Sequence, residues 1–402
     1  MATFVLLALV AAGCSSSSPS SSSPDSTGPS AESLLGTPNK ATGTPIKIGL
    51  VSDGKTDAID NTQSVAASKA VFDYANDYLG GINGHVIEVD TCETKQTPSG
   101  ATSCGVQMLN DKVAAVLVGA SGQDTAVYTA LNGEIPYFTT TTASGGILAG
   151  AGAYVLTSPL SAIGAGVPIA QDAGVSKAGF IVIDVPAATG PITAIATPIY
   201  QKGNVDLTMI PVSAQVADMT PQVQEGISKG LGQFSITGTA QFVATAIKAL
   251  KQAAFTGPII AGVSNPDPAL AESIPGGFEG VTNISSATED PADPDVQLMN
   301  AIIEKYAPGT SMDVSGTDGY LVAMGFVRAL EGATAAVDAP TVMTALSSMP
   351  SPVKQPLGAG ITFQCGSKPV ALTPNACTSQ VLKSTLDAAG KGSDFQVISP
   401  PS

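Results

Sequence analysis

Histidine is almost absent from this chain, since its 402 residues contain one, His85, and no tryptophan. A Ser/His/Asp triad would have to be built around His85, which stands at a predicted turn before a strand. No serine lies in a Gly-x-Ser-x-Gly elbow. A single histidine also argues against a zinc site of the usual ligand spacing. The sequence therefore predicts a protein that is not an enzyme and holds no metal ion or cofactor.

Positive charge is also scarce. The 17 Lys and Arg residues stand against 32 Asp and Glu residues, which gives a formal net charge of -15. No basic block is present, so the composition argues against nucleic-acid binding and against electrostatic adhesion to anionic lipid. No apolar run beyond the N-terminus approaches the length of a membrane span. Any attachment to a membrane therefore has to come from the N-terminus.

The N-terminus carries a short apolar run, residues 4–13, which ends at Cys14 and is followed by a Ser/Pro tract. The run is too short to span a bilayer and is typical of an export signal. With its cysteine it resembles a bacterial lipobox, which implies a signal peptide over residues 1–13 and lipidation of Cys14. Ala11 stands where a lipobox usually has Leu, and no Lys or Arg precedes the run. An ordinary secretory signal or a buried strand is the alternative.

Residues 14–45 are rich in Ser, Pro, Thr and Gly and have few large apolar side chains. Such a composition cannot offset the entropy of ordering, so it predicts a flexible tether. The expected location is extracytoplasmic, with the protein held by its lipid on the outer face of the cytoplasmic membrane.

Four cysteines remain once Cys14 is set aside, and they form two pairs with the same separation of twelve residues. The pairs are Cys92 with Cys104 and Cys365 with Cys377. In an oxidising compartment four thiols allow three pairings, of which the local one is the most economical. Each bridge would close a loop of roughly thirteen residues and contribute about 3 kcal/mol to stability. Zinc is the competing interpretation, but neither pair has the close spacing of a zinc knuckle.

Short β-rich runs alternate with helical patterns from residue 46 onward, which is typical of parallel sheets with crossover helices. Two such series of similar length predict two similar lobes. Three helical patterns then follow between residues 295 and 349 with little intervening strand, so we expect them to pack on the first lobe while the tail returns to the second. The predicted fold is α/β, with two Rossmann-like lobes and parallel sheets. The predicted division is lobe 1, residues 46–158 plus 288–350, and lobe 2, residues 159–287 plus 351–395.

Six segments of the chain form a distinctive combination: IKIGLVSDG, DYLGGINGHVIEVDTCE, CGVQMLNDKVAAVLVGASG, EIPYFTTTTAS, AFTGPIIAG and GTDGYLVAMGFVRAL. Together they resemble the substrate-binding lipoproteins of branched-chain-amino-acid-type ABC transporters, which have the type I periplasmic-binding fold. The similarity runs over most of residues 46–350. The resemblance also implies a bridge between Cys92 and Cys104, from the second strand to the next helix.

The resemblance implies how the protein works. Two lobes are joined by three hinge crossovers, expected near Ser158, residues 285–288 and residues 350–356. They close over a small solute, because the ligand contacts from both lobes exist only in the closed state. The expected partners are this solute and the permease of an ABC transporter, and the protein is expected to be a monomer. A ligand-sensing or cell-surface binding module not coupled to transport would need the same cleft and is the alternative; neighbouring permease and ATPase genes would favour transport.

Ligands of open α/β sheets bind outside the carboxyl ends of the strands. In lobe 1 these ends are residues 119–122, with backbone amides suited to a carboxylate, and residues 139–144, which carry a run of hydroxyl groups. They match the family segments that hold the carboxylate and amine of a ligand. The alternative is that the threonines simply form a β-branched strand with a hydroxyl-bonded turn. The candidate ligand-binding residues of lobe 1 are Ser121, Gly122, Thr140, Thr141, Thr142 and Ala143.

Lobe 2 departs from the amino-acid-binding members of the family at two places. VPAATGP follows one strand without the usual aromatic residue, and Thr189 is the candidate ligand-binding residue there. GVSNPDP follows another strand, with Ser264 and Asn265 where the family tends to have an acidic residue for the ligand ammonium. An unpaired buried ammonium would be costly. The sequence therefore favours a neutral, hydroxylated or amide-like solute, or an acid without an amine, and a free α-amino acid is not secure as the ligand.

Overall fold

The described part of the chain, residues 31–263, 268–333 and 337–401 of a computed structural model, begins with a five-stranded parallel sheet. Its strands are β1 Gly43–Ser52, β2 His85–Glu93, β3 Ala115–Val118, β4 Tyr137–Thr139 and β5 Ala153–Val155. The helices are α1 Ala31–Leu35, α2 Thr62–Tyr74 with a π-helical turn Ala75–Leu79, α3 Pro98–Asp111, α4 Asp124–Leu131 and α5 Gly145–Ala149. The strand order is β2-β1-β3-β4-β5.

Both faces of this sheet are apolar, because helices cover each of them. Ile48 and Leu50 of β1 lie in one core with α2, and Val116 of β3 lies in the opposite core with Met108 of α3. A strand that is buried on both faces reads as a near-continuous apolar run, which is the pattern of residues 46–51. The carboxyl ends of the strands consequently meet at one edge of the lobe.

The second lobe repeats the plan. Its first five strands are β6 Lys177–Ile183, β7 Asp206–Val212, β8 Gln233–Thr237, β9 Ile259–Ala261 and β10 Thr282–Ser285. Its helices are α6 Pro159–Gly164, α7 Gly166–Asp172, α8 Pro186–Lys202, α9 Thr220–Ser228, α10 Ala240–Gln252 and α11 Pro268–Glu272. These strands are parallel to one another, so their carboxyl ends also meet at one edge.

After β10 the chain returns to the first lobe. The helices α12 Pro294–Tyr306, α13 Val314–Ala329 and α14 Ala339–Ser347 follow, and α12 and α13 pack against α2. Ile302, Tyr320 and Leu346 of these helices are fully buried in the same core as β1. The three C-terminal helices therefore pack on the first lobe.

The third crossover lies later in the chain than expected. Residues 348–380 contain a small antiparallel hairpin, β11 Val353–Lys354 with β12 Thr362–Phe363. Phe363, Cys365 and Cys377 belong to the core of the first lobe. We therefore place the crossover between Cys377 and Val381, and the expectation of a boundary near residues 350–356 is corrected, because the hairpin buries its apolar residues against lobe 1.

The last two strands, β13 Val381–Leu386 and β14 Gly392–Ile398, complete the second sheet as antiparallel strands. The order of that sheet is β14-β13-β10-β9-β8-β6-β7. The predicted α/β architecture with two lobes is confirmed. The antiparallel edge formed by these two strands is a feature that the predicted fold class did not include.

Hydrogen bonds tie the crossover segments together. Val155 at the end of β5 donates its N–H to the carbonyl of Asn375 at 2.9 Å and accepts from the N–H of Cys377 at 2.8 Å. Thr288, after β10, donates its N–H to the carbonyl of Leu357 at 2.7 Å. The segment that holds the second cysteine pair therefore bonds to the chain beside the first crossover. The hairpin that precedes this segment bonds to the second crossover through Leu357.

Both predicted disulfides are confirmed. Cys92 of β2 is bonded to Cys104 of α3, with the Cα atoms 5.5 Å apart, and Cys365 is bonded to Cys377, with the Cα atoms 4.1 Å apart. The first bridge joins a strand to the next helix within lobe 1. The second closes the loop that contacts the crossovers.

The predicted tether is shorter than expected at its C-terminal end. Leu35 of α1 is 3% exposed in the lobe 1 core, and Ala41 is 5% exposed, with its N–H bonded to the carbonyl of Asn76 at 2.7 Å. These apolar side chains give residues 31–42 enough buried surface to order. Cys14 and the predicted signal peptide lie outside the described residues. Of the helices in residues 31–263, 268–333 and 337–401, none combines the length and apolar character needed to cross a bilayer.

Candidate ligand-binding cleft

A cavity of about 480 Å³ lies between the two lobes. The ends of β9 and β10, the crossover segment 286–289 and the β13–β14 hairpin form its lobe 2 side, while α12 and the start of α13 form its lobe 1 side. Its apolar wall includes Val296, Met299, Met312, Leu321 and Phe395. This volume is within the range of small-molecule sites, which are typically apolar with a few placed polar groups.

The principal polar group on the lobe 1 side is Asp318, in the second turn of α13. Its Oδ1 accepts a hydrogen bond from Thr140 Oγ1, at the end of β4, at 3.3 Å. Burial raises the pKa of Asp318 to about 7, and the hydrogen bond from Thr140 opposes that rise. No lysine, arginine or histidine is among the described residues that line the cavity. Asp318 is therefore a partly buried carboxyl group without a protein counter-ion in the described chain.

Two glycines bring Asp318 to this position. A Cβ at Gly319 would lie 2.1 Å from the carbonyl oxygen of Ser64, and one at Gly119 would lie 3.0 Å from the N atom of Gly319. Ser68 Oγ also donates to the carbonyl of Gly319 at 2.8 Å. Because neither glycine has a side chain, α13 packs closely on α2 and on the end of β3. Asp318 is consequently held at the carboxyl ends of the lobe 1 strands.

The lobe 2 side presents Asn283 of β10, which is 7% exposed. Its Oδ1 accepts a hydrogen bond from the N–H of Val263 at 2.8 Å. Asn283 pairs across the sheet with Ser384 of β13, whose buried Oγ has no hydrogen-bond partner within the described residues. A Cβ at Gly392, in the cavity wall, would lie 3.0 Å from this Oγ. The lobe 2 side therefore offers neutral polar groups.

The backbone and hydroxyl donors predicted after β3 already bond to a side chain of the protein. Asp53, at the end of β1, is fully buried. It accepts hydrogen bonds from Ser121 Oγ at 2.7 Å, from the N–H of Gly122 at 2.8 Å and from Thr94 Oγ1 at 2.5 Å. A ligand carboxylate at this place would have to displace Asp53. This differs from the expectation that Ser121 and Gly122 present bare donors.

The threonine run separates into three environments. Thr140 contacts Asp318, as described above. Thr142 donates through Oγ1 to Asp124 Oδ2 at 2.5 Å and accepts from the N–H of Ser144, which is the hydroxyl-bonded turn given as the alternative. Thr141 and Ala143 are exposed. Only the first of these threonines reaches a group in the wall of the cavity.

Of the lobe 2 candidates, the structure describes Thr189 alone. Helix α8 begins at Pro186, so Thr189 lies in its first turns, and its Oγ1 donates to the carbonyl of Ile183 at 3.0 Å. Ser264 lies outside the described residues. The described residues contain no cluster of His, Cys, Asp and Glu that could hold a metal ion.

Sequence reasoning missed Asp53, Asp318 and Asn283. The rule that ligand groups follow the strands could have identified Asp53, which comes directly after β1. Asp318 stands between Thr317 and Gly319, and a glycine inside a helical pattern is the signal of close packing that could have drawn attention to it. No signal in the sequence distinguishes Asn283 from other buried strand residues.

Comparisons with solved structures support the fold. A fatty acid ABC transporter substrate-binding protein from Thermomonospora curvata is 18% identical, with a TM-score of 0.59, and the match covers 91% of this chain and 94% of that one. A solute-binding protein from R. palustris, in complex with 4-hydroxybenzoate, is 14% identical, with a TM-score of 0.64 and coverage of 89% and 98%. A leucine-, isoleucine-, valine-, threonine- and alanine-binding protein from Brucella ovis is 13% identical, with a TM-score of 0.66 and coverage of 89% and 96%.

A search of curated protein sequences finds no match. The family profile described as periplasmic binding protein matches residues 45–372. This span includes the strands of both lobes up to β10, the helices that return to lobe 1 and the β11–β12 hairpin. The chain belongs to this periplasmic binding protein family.

Proposed function

We propose that this protein is an extracytoplasmic receptor that captures a small solute between its lobes and delivers it to the permease of an ABC transporter. The observation that carries the proposal is the cavity of about 480 Å³ with walls from both lobes. A solute there contacts α13 on one side and β10 on the other, so it binds the closed arrangement better than an open one. Such differential affinity is what shifts a hinged protein toward closure.

The solute class within this proposal is an amino-acid-like molecule, an amide or a small organic acid. The fold alone leaves the class open, because the three solved relatives named above are a fatty acid transporter protein, a protein bound to 4-hydroxybenzoate and a branched-chain amino acid binder. Thr140 is the sequence candidate with the strongest support, since it bonds to Asp318 in the cavity wall. The other candidates, Ser121, Gly122, Thr141, Thr142, Ala143, Thr189 and Ser264, stay predictions for contacts at the rim of the closed cleft.

Gly262 offers a direct test of the cavity. A Cβ at this position would have only the carbonyl oxygen of Ile284 as a neighbour, at 3.8 Å, so a larger side chain can enter the cavity without a backbone clash. The matched control is Gly190, in α8, where a Cβ would meet nothing within 4 Å. We expect Gly262→Leu to abolish solute binding and Gly190→Leu to retain it, with both variants folded by circular dichroism.

Binding is measured by thermal shift against branched-chain amino acids, short amides, urea, amines and aromatic acids. A solute at about 100 times its Kd stabilises the folded state by about 2.7 kcal/mol, which raises Tm measurably. If no small solute raises Tm and a protein partner does, the receptor proposal is wrong. If Gly190→Leu abolishes binding and Gly262→Leu does not, the solute lies at the start of α8 instead of in the cavity.

Membrane attachment through Cys14 is part of the same proposal. Lipidation there, with residues 15–30 as the tether, would keep the receptor near its permease, and the several acyl chains of a processed lipoprotein are needed because one chain anchors only weakly. We expect Cys14→Ala to release a solute-binding protein into the medium, where light scattering should report a monomer. Retention of that variant at the membrane would contradict the anchor.

A further inference from the structure

The charged side chains in the cavity wall are all of one sign. Asp313, Asp318 and Glu289 line it, and its described wall contains no Lys, Arg or His. Asp313 is the N-cap of α13 and accepts the N–H of Gly316 at 3.0 Å, so its carboxylate is engaged by the helix. Asp318 caps nothing and faces the space between the lobes. The cavity therefore has an electrostatic preference for positive charge and against negative charge.

Asp318 has an unused acceptor. Its Oδ1 receives the 3.3 Å hydrogen bond from Thr140, whereas within the described chain its Oδ2 has neither a hydrogen bond nor an ion pair. A partly buried carboxylate without a counter-ion is unfavourable, and a cation that arrives with a ligand removes that penalty. Ionisable groups in such an environment within a cleft are frequent at functional sites.

A second polar group, behind the opposite wall, also lacks a partner in the described chain. Ser384 is 3% exposed, and its Oγ has no hydrogen bond within the described residues. A Cβ at Gly392, which lines the cavity, would lie 3.0 Å from this Oγ. The cross-strand neighbour of Ser384, Asn283, also lines the cavity and uses Oδ1 to hold Val263. These groups suit a neutral polar part of a ligand, such as an amide or a hydroxyl group.

We propose that the cavity selects a small amine with a single positive charge and an apolar body, whose ammonium group is held by Asp318, the carboxylate that Thr140 positions by its hydrogen bond. This inference rests on the receptor function proposed above and narrows its solute class. Met299, Met312 and Leu321 contact the apolar body. A carboxylate on the ligand finds no basic residue in the described wall, and the donors of Ser121 and Gly122 are already bound to Asp53. Simple acids are excluded, and a zwitterionic amino acid binds more weakly than the matching amine.

The test compares four ligands that share a six-carbon skeleton and differ in charge. They are the cation 4-methylpentylamine, the neutral 4-methylpentanamide, the anion 4-methylpentanoate and the zwitterion leucine. Each is titrated into the full extracytoplasmic protein by calorimetry at pH 7.5. We expect the amine to bind at least about tenfold more tightly than the neutral amide, which is about 1.4 kcal/mol. We expect the zwitterion to bind more weakly than the amine and the anion to show no binding.

Asp318→Asn should abolish the preference for the amine over the amide, and Asp318→Glu should retain part of it. The matched control is Asp124→Asn, because Asp124 also accepts from a threonine, Thr142, at the same sheet edge but does not line the cavity. That control should keep the preference. If Asp318→Asn does not fold, the order of affinities in the parent protein still decides.

The inference is overturned if the amide or the anion binds the parent as tightly as the amine, or if a folded Asp318→Asn keeps the tenfold preference. It is also overturned if none of the four ligands binds while a solute of the thermal-shift panel other than an amine does, and in that case the receptor function stands. If no solute of either set binds, the receptor function fails together with this inference.

Discussion

Ser121 Oγ donates a hydrogen bond to Asp53 Oδ1 at 2.7 Å across the carboxyl ends of two neighbouring strands, β1 and β3. The same carboxylate accepts from Thr94 after β2 and from the N–H of Gly122. One buried side chain thus joins three strand-end loops of lobe 1. The donor groups of Ser121, Gly122 and Thr94 are therefore used within lobe 1 and are not available to a ligand while Asp53 accepts from them.

The carboxylate of Asp53 is therefore expected to matter for stability more than for ligand affinity. In Asp53→Asn an amide group that donates replaces one oxygen that accepts. With the remaining oxygen turned to the N–H of Gly122, the hydroxyl groups of Ser121 and Thr94 lose the acceptor that they share. A buried donor left unsatisfied costs about 1–3 kcal/mol. We expect urea unfolding at pH 7 to show a loss of this size for Asp53→Asn. The exposed Asp57 of the same loop is the control, and equal stability of Asp53→Asn and Asp57→Asn would contradict the prediction.

The raised pKa of Asp318 makes stability depend on pH in a defined direction. Its pKa rises from 3.8 in the unfolded chain to about 7 in the folded protein, chiefly because of burial. Between pH 4 and pH 7 the folded state binds more protons than the unfolded state, so the free energy of unfolding falls as pH rises and is level above pH 7. A shift of this size corresponds to a decline on the order of 4 kcal/mol.

The measurement is the difference in unfolding free energy between the parent and Asp318→Asn, determined in urea from pH 4.5 to pH 8 without ligand. Subtraction removes the contribution of the other carboxyl groups. We expect the variant to gain relative to the parent as pH rises and to be the more stable protein at pH 8. A difference that does not vary with pH would show that the pKa of Asp318 is not raised.

Much of the fold follows from the sequence pattern, because apolar strands and helical periodicity are local signals. The strand predicted at residues 46–51 lies inside β1, and the three helices predicted after residue 294 all form. The position of residues 351–377 could not be predicted in the same way. Their apolar side chains could pack on either lobe, and the choice of lobe 1 depends on contacts such as Cys377 with Val155 that are remote in sequence.

The candidate site was only partly predictable for a related reason. The rule about strand ends directs attention to Ser121 and Thr140, but it does not say which remote side chain these groups contact. Asp53 precedes Ser121 by 68 residues, and Asp318 follows Thr140 by 178 residues. The sequence argument from the lobe 2 departures considered acids of that lobe alone, whereas Asp318 of α13, in lobe 1, lies in the cavity wall.

The two disulfides close loops of the same length but have different neighbours, which permits a matched comparison. Replacing either pair by alanine should cost about 3 kcal/mol in unfolding free energy, by the chain-entropy argument. Cys92 and Cys104 lie within lobe 1, whereas Cys377 hydrogen-bonds to Val155 at the first crossover. We expect only the Cys365/Cys377 double variant to lower solute affinity. Equal affinity losses in both double variants would contradict a role for this bridge in the hinge.

The ion pair between Arg328 and Asp295 joins α13 to α12 and also holds the hairpin. Arg328 Nη2 donates to Asp295 Oδ1 at 2.8 Å and Nη1 donates to Oδ2 at 2.9 Å. The N–H of Leu357 donates to the same Oδ2 at 3.2 Å. The Arg328 and Asp295 side chains are 17% and 26% exposed, so this bidentate pair is largely shielded from water.

Asp295→Ala should therefore destabilise the protein by about 3 kcal/mol, because it leaves a shielded guanidinium without its partner. Adding Arg328→Met removes that unpaired charge, so we expect the double variant to be more stable than Asp295→Ala alone. Urea unfolding of the parent, both single variants and the double variant gives the coupling energy. Glu225→Ala, which breaks the exposed pair with Lys229, is the control and should have a much smaller effect. If the losses of unfolding free energy in the two single variants add up to the loss in the double variant, the pair does not act as a unit. In that case the β11–β12 hairpin is held by its apolar contacts.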